Sequence, residues 1–195
     1  MKVLFLGAEK TAVYQWLKRS DYALFFTSSS VSLEKVRQIE PDFIVSHGYR
    51  HIIGSDIVAD YLGKIINLHI SYLPWNKGAD PNFWSFYDNT PKGVTIHLVD
   101  DKLDTGDILV QCELDFNLQK ETLASSYAML QKSILNLFIQ SWQDIVTGKL
   151  IAKPQIGVGT YHNTSDKKEI FEKHNISWDT RLCDIVLLKK QLEQK

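Results

Sequence analysis

Asn67 and His69 stand two apart at the end of an apolar run, Lys64-Ile65-Ile66-Asn67-Leu68-His69. On a β-strand that spacing turns both side chains to one face and Leu68 to the other. An imidazole changes charge near neutral pH and an amide offers donors and an acceptor, so such a pair could handle a proton and hold a polar group. Polar side chains on an otherwise apolar strand cost desolvation unless they are hydrogen bonded or functional. A satisfied polar pair at a strand end therefore stands beside the reading of a reactive site. Two loops add to the case. Ile70 to Gly78 contains Pro74 and Gly78, which fix its backbone, and the cation Lys77; Asp100 to Asp107 supplies carboxylates, Asp104 among them.

The elements that must position these residues alternate. Val3 to Leu6, Leu24 to Thr27, Asp42 to Ser46 and Lys64 to His69 read as buried strands. Helices are expected from Thr11 to Lys18, from Leu33 to Gln38 with Ser30 or Ser32 as cap, and from Ser55 to Tyr61. This alternation implies βαβ units and an α/β fold with a mostly parallel, twisted sheet flanked by helices. Gly93 to Val99 and Asp107 to Cys112 read as two further strands, so the second half of the sheet should be mixed. A helix is expected over Thr122 to Val146, with Leu123, Tyr127, Leu130, Ile134, Leu137 and Phe138 on one face and Gly148 as its stop. Beyond it the chain should be irregular until Trp178, then helical over Asp179 to Gln194 with a Lys-rich end, an amphipathic docking or dimer element. Residues 1–150 are thus expected to form the main domain and 151–195 a C-terminal extension. In open α/β sheets a site gathers at the carboxyl ends of strands, where Asn67 and His69 lie. The turn after the first strand reads Gly7-Ala8-Glu9-Lys10, without G-x-G-x-x-G, and Glu9 would face a phosphate there.

Composition narrows the class. The chain has 195 residues, 44% hydrophobic and 23% charged, an ordinary globular mix. A formal net charge of -1 removes the broad attraction by which proteins hold polyanions, so no nucleic-acid partner is expected. Cys112 and Cys183 show neither disulfide nor zinc spacing. The first apolar run is too short for a signal peptide and no stretch approaches the roughly 20 apolar residues of a membrane span, which points to a cytoplasmic protein without a membrane partner.

The motifs Asn67-x-His69-x-Ser71-x-Leu73-Pro74, then Gly78, then Gly93-Val94-Thr95-Ile96-His97, then Leu103-Asp104-Thr105-Gly106-Asp107-Ile108-Leu109 together resemble the catalytic core of the folate-dependent formyltransferase family. That family includes glycinamide ribonucleotide, methionyl-tRNA and sugar-nucleotide N-formyltransferases, and the likeness covers at least Ser46 to Cys112. It implies a Rossmann-like formyltransferase fold, N10-formyltetrahydrofolate as co-substrate and no metal. It places the family's catalytic Asn, His and Asp on Asn67, His69 and Asp104. Such residues suit the reaction: a neutral amine attacks the formyl carbon and sheds a proton to a base such as His69. The oxyanion takes donors from Asn67 and protonated His69, while Asp104 orients the imidazole and helps order a proton-relaying water. The resemblance also assigns His51, Ile52 and Ile53, with Asp100, Asp101 and Asp104, to the pterin. An exposed loop histidine is the plainer account of His51. His97 reads as a hydrogen-bonded wall residue, and Phe83, Trp84, Phe86 and Tyr87 as packing of a helix after Pro81.

The acceptor follows from the same likeness. Methionyl-tRNA enzymes resemble longer chains with an RNA-binding domain, and the phosphate loop of glycinamide ribonucleotide enzymes is missing. Ser71 to Trp84 and Gly159-Thr160-Tyr161-His162 look most like enzymes that formylate nucleotide-linked amino sugars, commonly a dTDP-4-amino-4,6-dideoxyhexose made for O-antigen or related surface glycans. Tyr72 and Trp75 are then expected to line the acceptor pocket and Lys77 to meet a phosphate, with a solvated loop lysine as the alternative. The sugar enzymes of the family imply a homodimer. A phosphoribosylglycinamide formyltransferase and a non-catalytic folate-binding module remain the rivals.

Overall fold

Val3, Leu4, Phe5 and Leu6 are at most 1% exposed, apolar on both faces as an interior strand of a parallel sheet has to be. The computed structural model describes residues 1–193. In chain order its elements are β1 (Lys2–Gly7), α1 (Ala12–Lys18), β2 (Ala23–Thr27), α2 (Leu33–Ile39), β3 (Phe43–His47), α3 (Ser55–Asp60) and β4 (Ile65–His69). There follow β5 (Lys77–Gly78), α4 (Pro81–Tyr87), β6 (Gly93–Leu98), β7 (Ile108–Glu113), α5 (Leu123–Val146), β8 (Tyr161–His162), α6 (Asp166–His174) and α7 (Leu182–Glu193). A mixed six-stranded sheet has the order β2-β1-β3-β4-β6-β7, and β5 and β8 form a two-stranded pair. The chain divides into two compact units, one built from Met1–His69, Ile96–Val110 and Leu135–Gln155, the other from Ile70–Thr95, Gln111–Ile134 and the described chain from Ile156 onward.

In the first unit β1 pairs in parallel with β2 on one side and β3 on the other, and β3 with β4, Ser46 lying opposite Asn67. Strand order reverses direction at β1, and ligands of open α/β sheets collect outside the carboxyl ends near such a switch. β4 delivers Asn67 and His69 to that end. Local signals set the flanking helices: Thr11 accepts from the Tyr14 N–H to cap α1, and Ser32, rather than Ser30, accepts from the Lys35 N–H to cap α2. Phe138, Trp142 and Ile145 of α5 are buried, and the Trp142 indole N–H donates to the Tyr22 hydroxyl at 3.1 Å.

The second unit is built round α4, all seven of whose residues are buried, as the aromatic run after Pro81 suggested. Phe83, Trp84, Phe86 and Tyr87 share a cluster with Leu123 of α5 and Leu182 and Ile185 of α7. Three expectations need correction. Tyr127 is 40% exposed; its neighbour Ser126 takes the buried place, donating its hydroxyl to Asn82 Oδ1 at 2.9 Å. The segment before Trp178 is not irregular, since β8 pairs with β5 and α6 spans Asp166–His174. Neither announced itself, because β8 is two residues long and α6 buries no residue fully. The last helix starts at Leu182, not Asp179, because the Thr180 carbonyl accepts from the Leu123 N–H and Arg181 bridges Thr122. Its expected end, Gln194, lies outside the described residues. Among those residues no helix is long and apolar enough to cross a membrane.

Candidate active site

β4 ends with Asn67 and His69 on one face, and in the first unit the loop after β6 brings Asp104 to them. Asn67 Nδ2 donates to Asp104 Oδ1 at 3.0 Å and lies 3.2 Å from His97 Nε2. His69 Nδ1 is 3.7 Å from Asp104 Oδ2, and His97 Nε2 is 3.5 Å from Asp104 Oδ1. All three sequence-expected catalytic positions thus meet at one carboxylate. His69, His97 and Asp104 are buried, at 8%, 1% and 6% exposure, so the carboxylate sits where its interactions are weakly screened.

His97 is held as the wall residue its alternation suggested, yet its partner is Asn67. Its Nδ1 lies 2.7 Å from the Leu98 carbonyl, which can only accept, so Nδ1 carries the hydrogen and Nε2 accepts from the Asn67 amide. That chain of bonds sets the orientation of Asn67: a flipped amide would point its oxygen at the Asp104 carboxylate. Both N–H groups of Asn67 are therefore engaged, one by Asp104 and one by His97.

The loop bearing Asp104 is braced from several sides. Asp104 has φ 55, a left-handed conformation that aspartate tolerates better than most side chains but that still costs energy. A Cβ on Gly106 would lie 1.9 Å from the Leu98 carbonyl oxygen, so only glycine lets the loop pass that close. The Thr105 hydroxyl donates to both carboxylate oxygens of Asp100, at 2.7 and 2.8 Å, and Asp100 also accepts from the Lys102 N–H. Gln155 was not foreseen. Its Nε2 donates to the carbonyls of Asp104 at 2.9 Å and Gly106 at 3.0 Å, clamping the loop. No sequence signal marks it, since it lies about fifty residues downstream in a stretch without periodicity.

Of the residues assigned to the pterin, Asp100 is tied into its own loop and Asp101 is exposed. On the loop after β3, Ile53 packs against the core cluster around Leu4 and Ile44, while His51 is exposed with its ring 5.3 Å from Tyr49. Ile52 is 86% exposed, an apolar side chain left in solvent on that loop. Burial pushes the Tyr49 hydroxyl above its ordinary pKa.

The second unit holds Tyr72, Trp75 and Lys77, all half-buried. Their loop is strapped down: the Ser71 hydroxyl donates to the Trp75 carbonyl at 2.6 Å, and Gln111 Nε2 donates to the Leu73 carbonyl at 2.8 Å. Asn76 N–H donates to the Thr160 hydroxyl at 2.8 Å, and β5 and β8 run in parallel, Gly78 opposite His162. A Cβ on Gly159 would lie 1.9 Å from the Pro74 carbonyl oxygen, which explains the glycine that opens Gly159-Thr160-Tyr161-His162. Lys77 Nζ lies 3.4 Å from the Val158 carbonyl. Among the described residues no group of three or more His, Cys, Asp or Glu is arranged to hold a metal ion.

The formyltransferase PseJ from Anoxybacillus kamchatkensis, solved with UDP-4,6-dideoxy-4-formamido-L-AltNAc and tetrahydrofolate, is 40% identical, with a TM-score of 0.90 over 97% of this chain and 99% of that one. A 4-N formyltransferase from Francisella tularensis, 22% identical, shares the fold with a TM-score of 0.79 over 96% of this chain and 86% of that one. The methionyl-tRNA formyltransferase of Bacillus mycoides (strain KBAB4) is 31% identical over 142 residues, 71% of this chain. That alignment spans only 45% of the relative, so the chain matches less than half the length of this curated protein. The formyl transferase family model matches residues 9–141, and the chain belongs to that family.

Proposed function

We propose that the protein transfers the formyl group of N10-formyltetrahydrofolate to the amine of a nucleotide-linked 4-amino-4,6-dideoxy sugar. The observation that carries this reading is the buried cluster in which Asn67, His69 and Asp104 share one carboxylate at the end of β4. The neutral amine attacks the formyl carbon, giving a tetrahedral oxyanion; His69 takes the amine proton, and collapse expels the N10 of tetrahydrofolate, which is reprotonated. With His69 Nδ1 3.7 Å from Asp104 Oδ2, that carboxylate holds the ring in orientation for this step. Charged His69 then donates to the oxyanion, and Asn67 joins it by giving up one of its two present bonds. A base and positioned donors of this kind each contribute roughly 10²–10³-fold.

Support for the acceptor comes from a relative with which the chain aligns nearly end to end. The sequence motifs alone favour a dTDP-linked sugar; the UDP-linked formamido sugar held by PseJ at 40% identity favours uridine, and UDP is the carrier we adopt. A net charge of -1 speaks against a tRNA acceptor, and Glu9 in the first turn against the ribonucleotide phosphate. Synthesis of a surface glycan in the cytoplasm by a homodimer is the setting this acceptor implies. The test is a formyl-transfer assay with N10-formyltetrahydrofolate and UDP-4-amino, dTDP-4-amino, glycinamide ribonucleotide and methionyl-tRNA acceptors. A mass gain of one formyl group on a sugar nucleotide is expected, and transfer to the ribonucleotide or tRNA alone would replace the acceptor. Folate binding without transfer to any amine would leave a binding module.

A further inference from the structure

We infer that the cleft of the second unit, lined in part by Trp178, Tyr127, Phe171, Asp80 and Lys167, is the seat of the substrate's nucleobase; this rests on the nucleotide-sugar reading above. The cleft has a volume of about 160 Å³, the scale of one pyrimidine ring and not of a whole nucleoside, so the ribose would lie outside it. Four of its ten lining residues are aromatic, and two of those rings stay open to solvent: Trp178 is 53% and Tyr127 40% exposed, their centroids 5.4 Å apart with planes inclined at 73°. Large aromatic rings left wet in a concave site have not found their apolar cover within the fold, and a flat heterocycle supplies it by stacking.

The polar part of the cleft points the same way. Asp80 stands at the N-cap of α4, where an aspartate ordinarily accepts backbone N–H bonds, yet its side chain makes no capping bond. Instead it pairs with Lys167, both side chains half-desolvated at 30% and 23% exposure. Lys167 also lies 4.8 Å from the centre of the Phe171 ring. The pair is neutral overall, which suits an uncharged ring better than a diphosphate. It sets a carboxylate acceptor beside an ammonium donor, and the adjacent N3–H and C4 carbonyl of uracil present the complementary order. Asn82, the remaining polar side chain of the lining, is committed elsewhere, donating to the Leu123 carbonyl and accepting from Ser126. Trp178 and Lys167 come from the last forty residues, so those residues would carry recognition of the nucleotide.

The test is binding of UMP alone to the full chain, by calorimetry and tryptophan fluorescence, with ribose 5-phosphate as the base-free control. Saturable UMP binding is expected, with the control at least about ten-fold weaker. Trp178→Ala should weaken UMP by roughly 5- to 150-fold, the range for loss of one stacking face, while Trp178→Phe retains most of the affinity. Lys167→Met should weaken it with the aromatic faces intact. Tetrahydrofolate affinity, measured in parallel, should stay at the parent value in all three variants and so reports that they are folded. UMP binding that survives Trp178→Ala and Lys167→Met unchanged, or an equal affinity for ribose 5-phosphate, would place the base elsewhere and overturn the inference. Formyl transfer to a sugar nucleotide would still stand in that case. If no sugar nucleotide is formylated, the function fails on its own assay, whatever UMP does.

Discussion

Gln155→Leu isolates the clamp on the loop that carries Asp104. The substitution removes the two donations from Nε2 to the Asp104 and Gly106 carbonyls, at 2.9 and 3.0 Å. At roughly 0.5–1.5 kcal/mol each, they hold the loop by about 1–3 kcal/mol. Leucine also deletes the Gln155 Oε1, a buried acceptor without a hydrogen-bond partner among the described residues, and returns about 1 kcal/mol of desolvation cost. Global stability should therefore fall by no more than about 2 kcal/mol, which is less than about 8 °C in Tm for a domain of this size. The local effect is larger relative to its reserve, because Asp104 is held at φ 55 against its own preference. A loss of about 2 kcal/mol in the positioned state lowers kcat about 30-fold, with KM for both substrates within about two-fold. Gln155→Glu sharpens the test. An ionised carboxylate facing two carbonyl oxygens is disfavoured, so its pKa rises above the ordinary glutamate value, and the protonated acid can still donate one bond. Its activity relative to the parent should rise as pH falls from 8 to 6. Formyl transfer by Gln155→Leu within two-fold of the parent, or a flat pH ratio for Gln155→Glu, would refute the clamp.

Three further outcomes are expected. His69→Ala and Asp104→Asn should each lower kcat by about 10²–10⁴-fold with Tm held within a few degrees, and turnover at the parent rate in either would remove the proposed chemistry. Tyr22→Phe deletes the acceptor of the Trp142 indole N–H at 3.1 Å and should cost about 1 kcal/mol, a drop of about 2–4 °C in a thermal melt; an unchanged Tm would mean that the bond contributes nothing net. Burial pushes the His162 imidazole below its ordinary pKa, against the raising pull of Asp88 2.9 Å away. The unfolded chain then takes up a proton that folded His162 resists, so this stability is complete above about pH 6.5 and is lost as pH falls below it. His162→Asn should flatten the decline of Tm between pH 7.5 and 5.5, whereas parallel curves would contradict the assignment.

Much of the first unit was legible in the residues. Val3 to Leu6 could be read as a buried strand because a parallel strand covered on both faces must be apolar throughout. Asn67 and His69 could be placed on one face because side chains alternate along a strand whatever it packs against. Ser32 could be named as a cap candidate because its partner lies three residues away. Such features depend on φ, ψ and near neighbours. The tertiary structure decided what depends on strands and loops distant in sequence. It brought His97 and Asp104, thirty and thirty-seven residues beyond Asn67, to the same amide. It set Gln155 against the Asp104 loop and gave the buried place on α5 to Ser126 in preference to Tyr127. It also paired two-residue β5 with β8 across more than eighty residues of chain. A two-residue strand has no periodicity to read, and a glutamine donating to distant carbonyls looks, in the sequence, like any other glutamine.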